Sequence, residues 1–179
     1  MLILAIANRN LFLSGNKLNY LRYMMITTVL ASLCDIISFA LDGLPGRVVT
    51  VLHYVVNSLL FIGVVLISQL WLKLLYECVG RRPSRVARDI LATISIASML
   101  LLFFNLFFPL VFSVEGNVYR RENFYWVYFV VAGIHMFYGL GLYCKVEKSG
   151  QLLLPFSVNI FVIPMIAGII AVLVNLVFN

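Results

Sequence analysis

Asp35, Asp42, His53 and Asn57 are the residues whose types and spacing best suit chemistry, and all four fall in one stretch, Cys34–Asn57. Apolar surroundings do not tolerate such groups alone, so each is either paired within the protein or available to a ligand. Asp35, Ser38 and Asp42 recur at helical spacing and share one face of a helix, while His53 and Asn57, four apart, share a face of the next. Gly43-Leu44-Pro45-Gly46 between them forms a tight corner. The chemistry on offer is recognition: carboxylates, an imidazole and an amide lining the top of a helix hairpin. Hydrolysis would need a Ser/His pair, matched aspartates or a His-Glu metal set at one depth, and Asp35 has no equivalent on a second helix, so no enzymatic activity is expected. No second His or Cys stands at zinc spacing from His53, and Cys34, Cys78 and Cys144 lie in or at the ends of apolar segments. Neither metal, cofactor nor disulfide framework is expected.

Composition sets the elements that position these groups. The chain of 179 residues is 63% hydrophobic and 11% charged, with mean hydropathy +1.05, more than a soluble domain keeps off its surface. Near-continuous apolar runs of helical length exclude a membrane barrel, whose strands alternate over about ten residues. In lipid such runs satisfy their own backbone only as helices. The expected fold is therefore all-α, a polytopic transmembrane bundle forming a single domain over 1–179. Five complete helices are expected, over 23–41, 48–72, 90–112, 124–144 and 152–178, with Pro155 and Pro164 kinking or delaying the last. Met1–Ala7 stops at Asn8-Arg9-Asn10 and lacks the basic-then-apolar order of a signal peptide, so 1–13 reads as a partial helix that begins upstream. Glu115–Asn123 reads as a polar loop.

The basic residues orient the bundle. Ten of them flank the first, third and fifth connections, with Arg81, Arg82, Arg85 and Arg88 in the third, whereas the second and fourth hold only Arg47, Arg120 and Arg121. The positive-inside rule makes the odd connections cytoplasmic, so the Asp42–Arg47 corner, the Glu115–Asn123 loop and both chain ends face outward. The net charge of +6 is explained by this retention, and nucleic acid is not an expected partner. Arg81-Arg82-Pro83-Ser84-Arg85 reads as a cytoplasmic anchor on anionic lipid.

Each polar group has a bland reading beside the functional one. Asp35 serves ligand recognition or an interhelix contact, and Asp42 a site or simply the turn. His53 is a ligand contact or an interfacial anchor, and His135, on a face with Tyr138 and with Tyr128 or Val131, a buried hydrogen-bonded histidine or a site group. Asn57 and Asn105 are interhelix glue or lining. The run Phe124–Phe129 is an interface belt, or roofs a pocket together with Asn117, Tyr119, Arg120 and Tyr125.

Lys17-Leu18-Asn19-Tyr20 before a span, Asp35 within it, the Leu41-Asp42-Gly43 corner, Asn57, and Asn117-Val118-Tyr119-Arg120-Arg121 followed by Tyr125 together resemble a known arrangement. It is the amino-terminal membrane-embedded sensory region of bacterial, mainly Firmicute, diguanylate cyclases of the GGDEF type and of some histidine kinases. The resemblance implies a sensory role and a seventh helix leading to a cytoplasmic output domain. Neither that helix nor a Gly-Gly-Asp/Glu-Glu-Phe motif is found in this sequence.

The expected function is thus a ligand-binding sensory region in a bacterial cytoplasmic membrane. Its ligand-binding residues would be Asp35, Asp42, His53, Asn57, Asn117, Tyr119, Arg120 and Tyr125. The partners to look for are membrane lipid, a small-molecule ligand and a second copy in a homodimer. The competing reading is a small-solute transport component, whose partner-facing helices would carry small-residue packing motifs; here only Gly139-Leu140-Gly141 and Ala167-Gly168 lie close together.

Overall fold

The computed structural model describes residues 15–80 and 82–147. Six elements lie among them: α1 (Asn16–Leu41), α2 (Arg47–Val79), α3 (Arg85–Phe104), β1 (Phe112–Glu115), β2 (Val118–Arg121) and α4 (Val127–Glu147). The chain divides into two compact units, Met1–Gly141 and Leu142–Asn179. Of the second unit only the end of α4 is described; the helices, hairpin and core belong to the first.

Helices α1, α2 and α3 are long and apolar enough to cross a membrane, with 26, 33 and 20 residues, or about 39, 50 and 30 Å at 1.5 Å per residue. The apolar part of α4, Val127–Leu142, is shorter. Large apolar side chains stand uncovered along the outer faces, among them Val29, Leu33, Ile36 and Phe39 of α1 and Ile96, Leu100 and Phe103 of α3. A water-soluble surface avoids apolar area this continuous.

Two kinds of contact assemble the unit. α1 and α2 approach closely where a Cβ on Gly63 would lie 3.1 Å from that of Ala31, the small-on-small contact that lets helix backbones meet. Gly46, at φ 130°, turns the chain between them through a conformation that side chains rarely adopt. The second contact is a core of Phe61 and Val65 from α2, Leu102 from α3, Val111 and Phe112 at β1, and Tyr128 and Val131 from α4. Phe61 sits at its centre, 5.8 Å from the Phe112 ring and 4.6 Å from that of Tyr128.

The structure corrects the expected fold in several places. The helix expected over 90–112 runs over 85–104, because Ser84 caps it early, accepting the Ala87 N–H at 3.2 Å, and Asn105 ends it. The Asn105 side-chain oxygen accepts the N–H groups of Leu110, Val111 and Phe112 at 2.8, 2.6 and 3.2 Å. Its amide donates to the Phe112 carbonyl at 3.0 Å. Pro109, four residues on, would clash with the Asn105 carbonyl in a continued helix. The polar loop expected at 115–123 is largely an antiparallel hairpin, so the fold is not purely α-helical. Four of the five expected helices fall on the described residues and each has its helix there, with shifted ends; the fifth, 152–178, and the partial helix 1–13 lie outside them. α1 begins at Asn16 rather than at 23, and α2 continues to Val79, where Gly80 closes it.

Candidate functional site

The hairpin is built by local chemistry. Gly116 and Asn117 take φ of 61° and 62°, the left-handed pair that a two-residue hairpin turn requires. The register then pairs Phe112 with Arg121, Ser113 with Arg120, Val114 with Tyr119 and Glu115 with Val118. Side chains alternate, so Phe112, Val114, Tyr119 and Arg121 share one face and Ser113, Glu115, Val118 and Arg120 the other. On the first face Tyr119 stacks on Phe112 at 5.8 Å. On the second, Arg120 pairs with Glu115 at 3.1 Å, and Ser113 donates to the Glu122 carboxylate at 2.6 Å.

Three hydrogen bonds latch the hairpin tip onto the corner between α1 and α2. The Tyr119 N–H donates to Asp42 Oδ1 at 2.9 Å, and the Gly43 N–H to the Asn117 carbonyl at 2.8 Å. The Thr50 hydroxyl donates to the Asn117 side-chain oxygen. Asp42 and Asn117 are therefore exposed or half-buried groups already engaged in holding the hairpin.

Beneath the latch, α1 and α2 share a buried polar contact. Asn57 Nδ2 donates to Ser38 Oγ at 2.9 Å and to the His53 carbonyl at 2.9 Å, and Ser38 lies 3.2 Å from Asn57 Oδ1. Ser38 facing Asn57 and Ala31 facing Gly63 set an antiparallel register that puts His53 level with Asp42. Thr50, His53 and Asn57 follow one another on a single stripe of α2. His53 thus lies between the residue touching the hairpin and the residue touching α1. It is wholly buried, and neither ring nitrogen has a hydrogen-bond partner among the described residues. Buried polar atoms left this way are rare and costly.

Asp35 sits two turns below Asp42 on the exposed surface of α1. Burial pushes the Tyr119 hydroxyl up to about 12; the Arg121 guanidinium opposes the rise, and Asp35 and Tyr125 add to it. Arg121 also lies over the Tyr125 ring, 5.5 Å from its centroid. Of the eight expected site residues, Asp42, Asn117 and Tyr119 come together at the latch, His53 and Asn57 lie below it on α2, and no contact joins Asp35 or Tyr125 to them among the described residues. Arg120 does not join them, because strand alternation turns it to the other face.

Sequence reasoning overlooked Arg121, Thr50 and the pairing role of Ser38. Gly116-Asn117 flanked by alternating apolar residues was the signal for the hairpin, and with it for Arg121. A second buried polar network links α3 and α4. His135 Nδ1 donates to the Val131 carbonyl at 2.7 Å, and its Nε2 lies 3.2 Å from Ser95 Oγ. Tyr128 donates to the Ser98 carbonyl at 2.7 Å. His135 is thus a buried, hydrogen-bonded histidine.

Among the described residues no three His, Cys, Asp or Glu side chains converge to hold a metal ion. A shallow concavity lined by Val86, Asp89, Ile90, Thr93 and Ile94 lies at the start of α3, the opposite end of that helix from the hairpin. Comparison with family models, with curated proteins and with solved structures gives no match.

Proposed function

We propose that this chain is a membrane-embedded sensory region that binds a small ligand beneath the β1–β2 hairpin and passes the event through its helices to a cytoplasmic output. The single observation that carries the reading is His53, wholly buried with both ring nitrogens unpartnered among the described residues, under a hairpin held by three hydrogen bonds. A ligand that lifts the latch and pairs with the imidazole recovers hydrogen bonds that the closed form lacks, and so favours a second packing of α1, α2 and the hairpin.

Two features support a bacterial cytoplasmic membrane as its site, with the hairpin outward. α1, α2 and α3 carry the apolar length for spans, and Arg82, Arg85 and Arg88 gather at the α2–α3 connection, away from the hairpin. The role is one of binding and transmission rather than turnover.

The test compares wild-type protein with His53→Leu in nanodiscs, by thermal unfolding against a panel of small metabolites. Without ligand, His53→Leu is expected to be at least as stable as wild type, gaining about 1–2 kcal/mol from removal of unpaired buried nitrogens. A ligand at a hundred times its dissociation constant should stabilise wild type by about 2.7 kcal/mol and leave the variant unmoved. A markedly destabilised His53→Leu, or a ligand response that survives it, would sink the reading.

A further inference from the structure

The turn between α3 and β1 presents apolar side chains without presenting backbone donors. Phe103, Phe104, Leu106, Phe107 and Phe108 are each between 50 and 66% exposed, and Phe103 meets the Phe104 and Phe107 rings edge-on at 6.0 and 5.6 Å. A patch of this kind is costly in water. The backbone beneath it leaves no N–H free. Those of Asn105, Leu106, Phe107 and Phe108 go to the carbonyls of Leu101, Phe103 and, twice, Phe104, at 3.0 to 3.2 Å. Pro109 has none to give. The next three, from Leu110 to Phe112, go to the buried Asn105 side chain. A turn in water can leave such groups to the solvent, whereas one in hydrocarbon needs them satisfied within the protein.

The length of α3 makes the same demand. It reaches about 30 Å only with Arg85, Arg88 and Asp89 included at its start; the uncharged part, Ile90–Phe104, measures about 22 Å at 1.5 Å per residue. A hydrocarbon core is about 30 Å thick, so about 8 Å remains to be crossed where the helix ends. No charged residue occurs from Ile90 to Val114. Charge resumes on the hairpin, where Glu115 and Arg120 form an exposed ion pair. The turn also continues the uncovered apolar face of α3 that carries Ile96, Leu100 and Phe103.

We propose that the Phe103–Phe108 turn lies among the acyl chains of the membrane leaflet at the hairpin end, and so seats the hairpin at the boundary between lipid and water. The inference rests on α3 as a membrane span and not on ligand binding at His53. Its partner is phospholipid hydrocarbon, because the patch holds neither a charge nor a free N–H with which to select a headgroup. The turn completes the crossing that α3 begins, with the Asn105 side chain standing in for the helix hydrogen bonds that Pro109 forbids. Phe124 and Trp126, exposed just after β2, supply the aromatic rings that favour the boundary itself.

The test is the depth of a nitroxide label on the protein in phospholipid nanodiscs. Electron paramagnetic resonance reads it as collision with oxygen, which partitions into lipid, and with a water-soluble nickel chelate. Phe107→Cys and Phe108→Cys are labelled separately in a chain carrying Cys34→Ala, Cys78→Ala and Cys144→Ala. Leu100→Cys on α3 gives the lipid standard, and Arg120→Cys on the hairpin the aqueous one. Both turn labels should lose collision with nickel and keep collision with oxygen, as the Leu100 label does, while the Arg120 label collides with nickel. The proposal is overturned if either turn label collides with nickel as the Arg120 label does, which puts the turn in water. It is overturned too if neither reagent reaches the turn, because protein then covers the patch, or if the Arg120 label is shielded from nickel, because the hairpin then marks no boundary. A Leu100 label that collides with nickel removes the span itself, and the membrane-embedded reading with it.

Discussion

Asp42 accepts the backbone N–H of Tyr119 at 2.9 Å across 77 residues of chain. One carboxylate thereby ties the corner between α1 and α2 to the tip of a hairpin whose base is anchored in the core through Phe112. With Gly43 to Asn117 and Thr50 to Asn117, it makes the hairpin a cover over the buried polar stripe of α2.

If that bond holds the cover, Asp42→Ala should loosen it by about 1 kcal/mol, and Asp42→Asn, which keeps an acceptor, by less. Hydrogen exchange at the Tyr119 amide is the direct measurement. Faster exchange in Asp42→Ala than in Asp42→Asn is expected, and equal rates in the two would mean that the Asp42 side chain does not hold the hairpin.

Asn105 holds the turn that starts the hairpin. Replacing it with Leu leaves three N–H groups, two of them buried, and one carbonyl with lost partners, and the destabilisation should be about 3 kcal/mol. Equilibrium unfolding in detergent would show it as a lowered midpoint.

The Ser38–Asn57 contact is open to a double-mutant cycle. Buried polar pairs between membrane helices couple by only about 0.6 kcal/mol on average, so Ser38→Ala and Asn57→Ala should be nearly additive. A coupling of several kcal/mol would mean that the pair organises more than its own contact.

A Cβ on Gly139 would fall onto the Trp71 ring and 2.9 Å from a Leu75 methyl. Gly139→Ala should therefore destabilise by about 1–3 kcal/mol, as overpacking does, and Trp71→Leu should recover much of the loss. Thermal unfolding of the two single variants and the double variant decides it.

Stability at high pH should carry the mark of Tyr119. Its hydroxyl is raised from the usual 10 to about 12, so between those values the folded protein keeps a proton that the unfolded chain has released. The associated stability is whole below pH 10 and is lost as pH rises from 10 to about 12. Tyr119→Phe should show a shallower decline over that window, and its tyrosinate absorbance titration should lack one late-titrating group.

The long apolar helices around 23–41 and 48–72, the corner at Asp42–Gly46 and the polar residues that gather at it were legible from the amino-acid sequence. Those features depend on continuous hydropathy and on i, i+4 spacing, which are local and survive any packing. Tertiary structure alone decided the rest. Which arginine faces Tyr119 depends on a strand parity of one residue, fixed by the Gly116-Asn117 turn and by the latch to Asp42. Where α3 stops depends on the Asn105 side chain capturing N–H groups five to seven residues ahead, a competition that hydropathy does not register. Asn57 has its partner on α1 and His53, four residues away on the same helix, has none among the described residues, because partners are a matter of what lies across the helix interface and not of what lies along the chain.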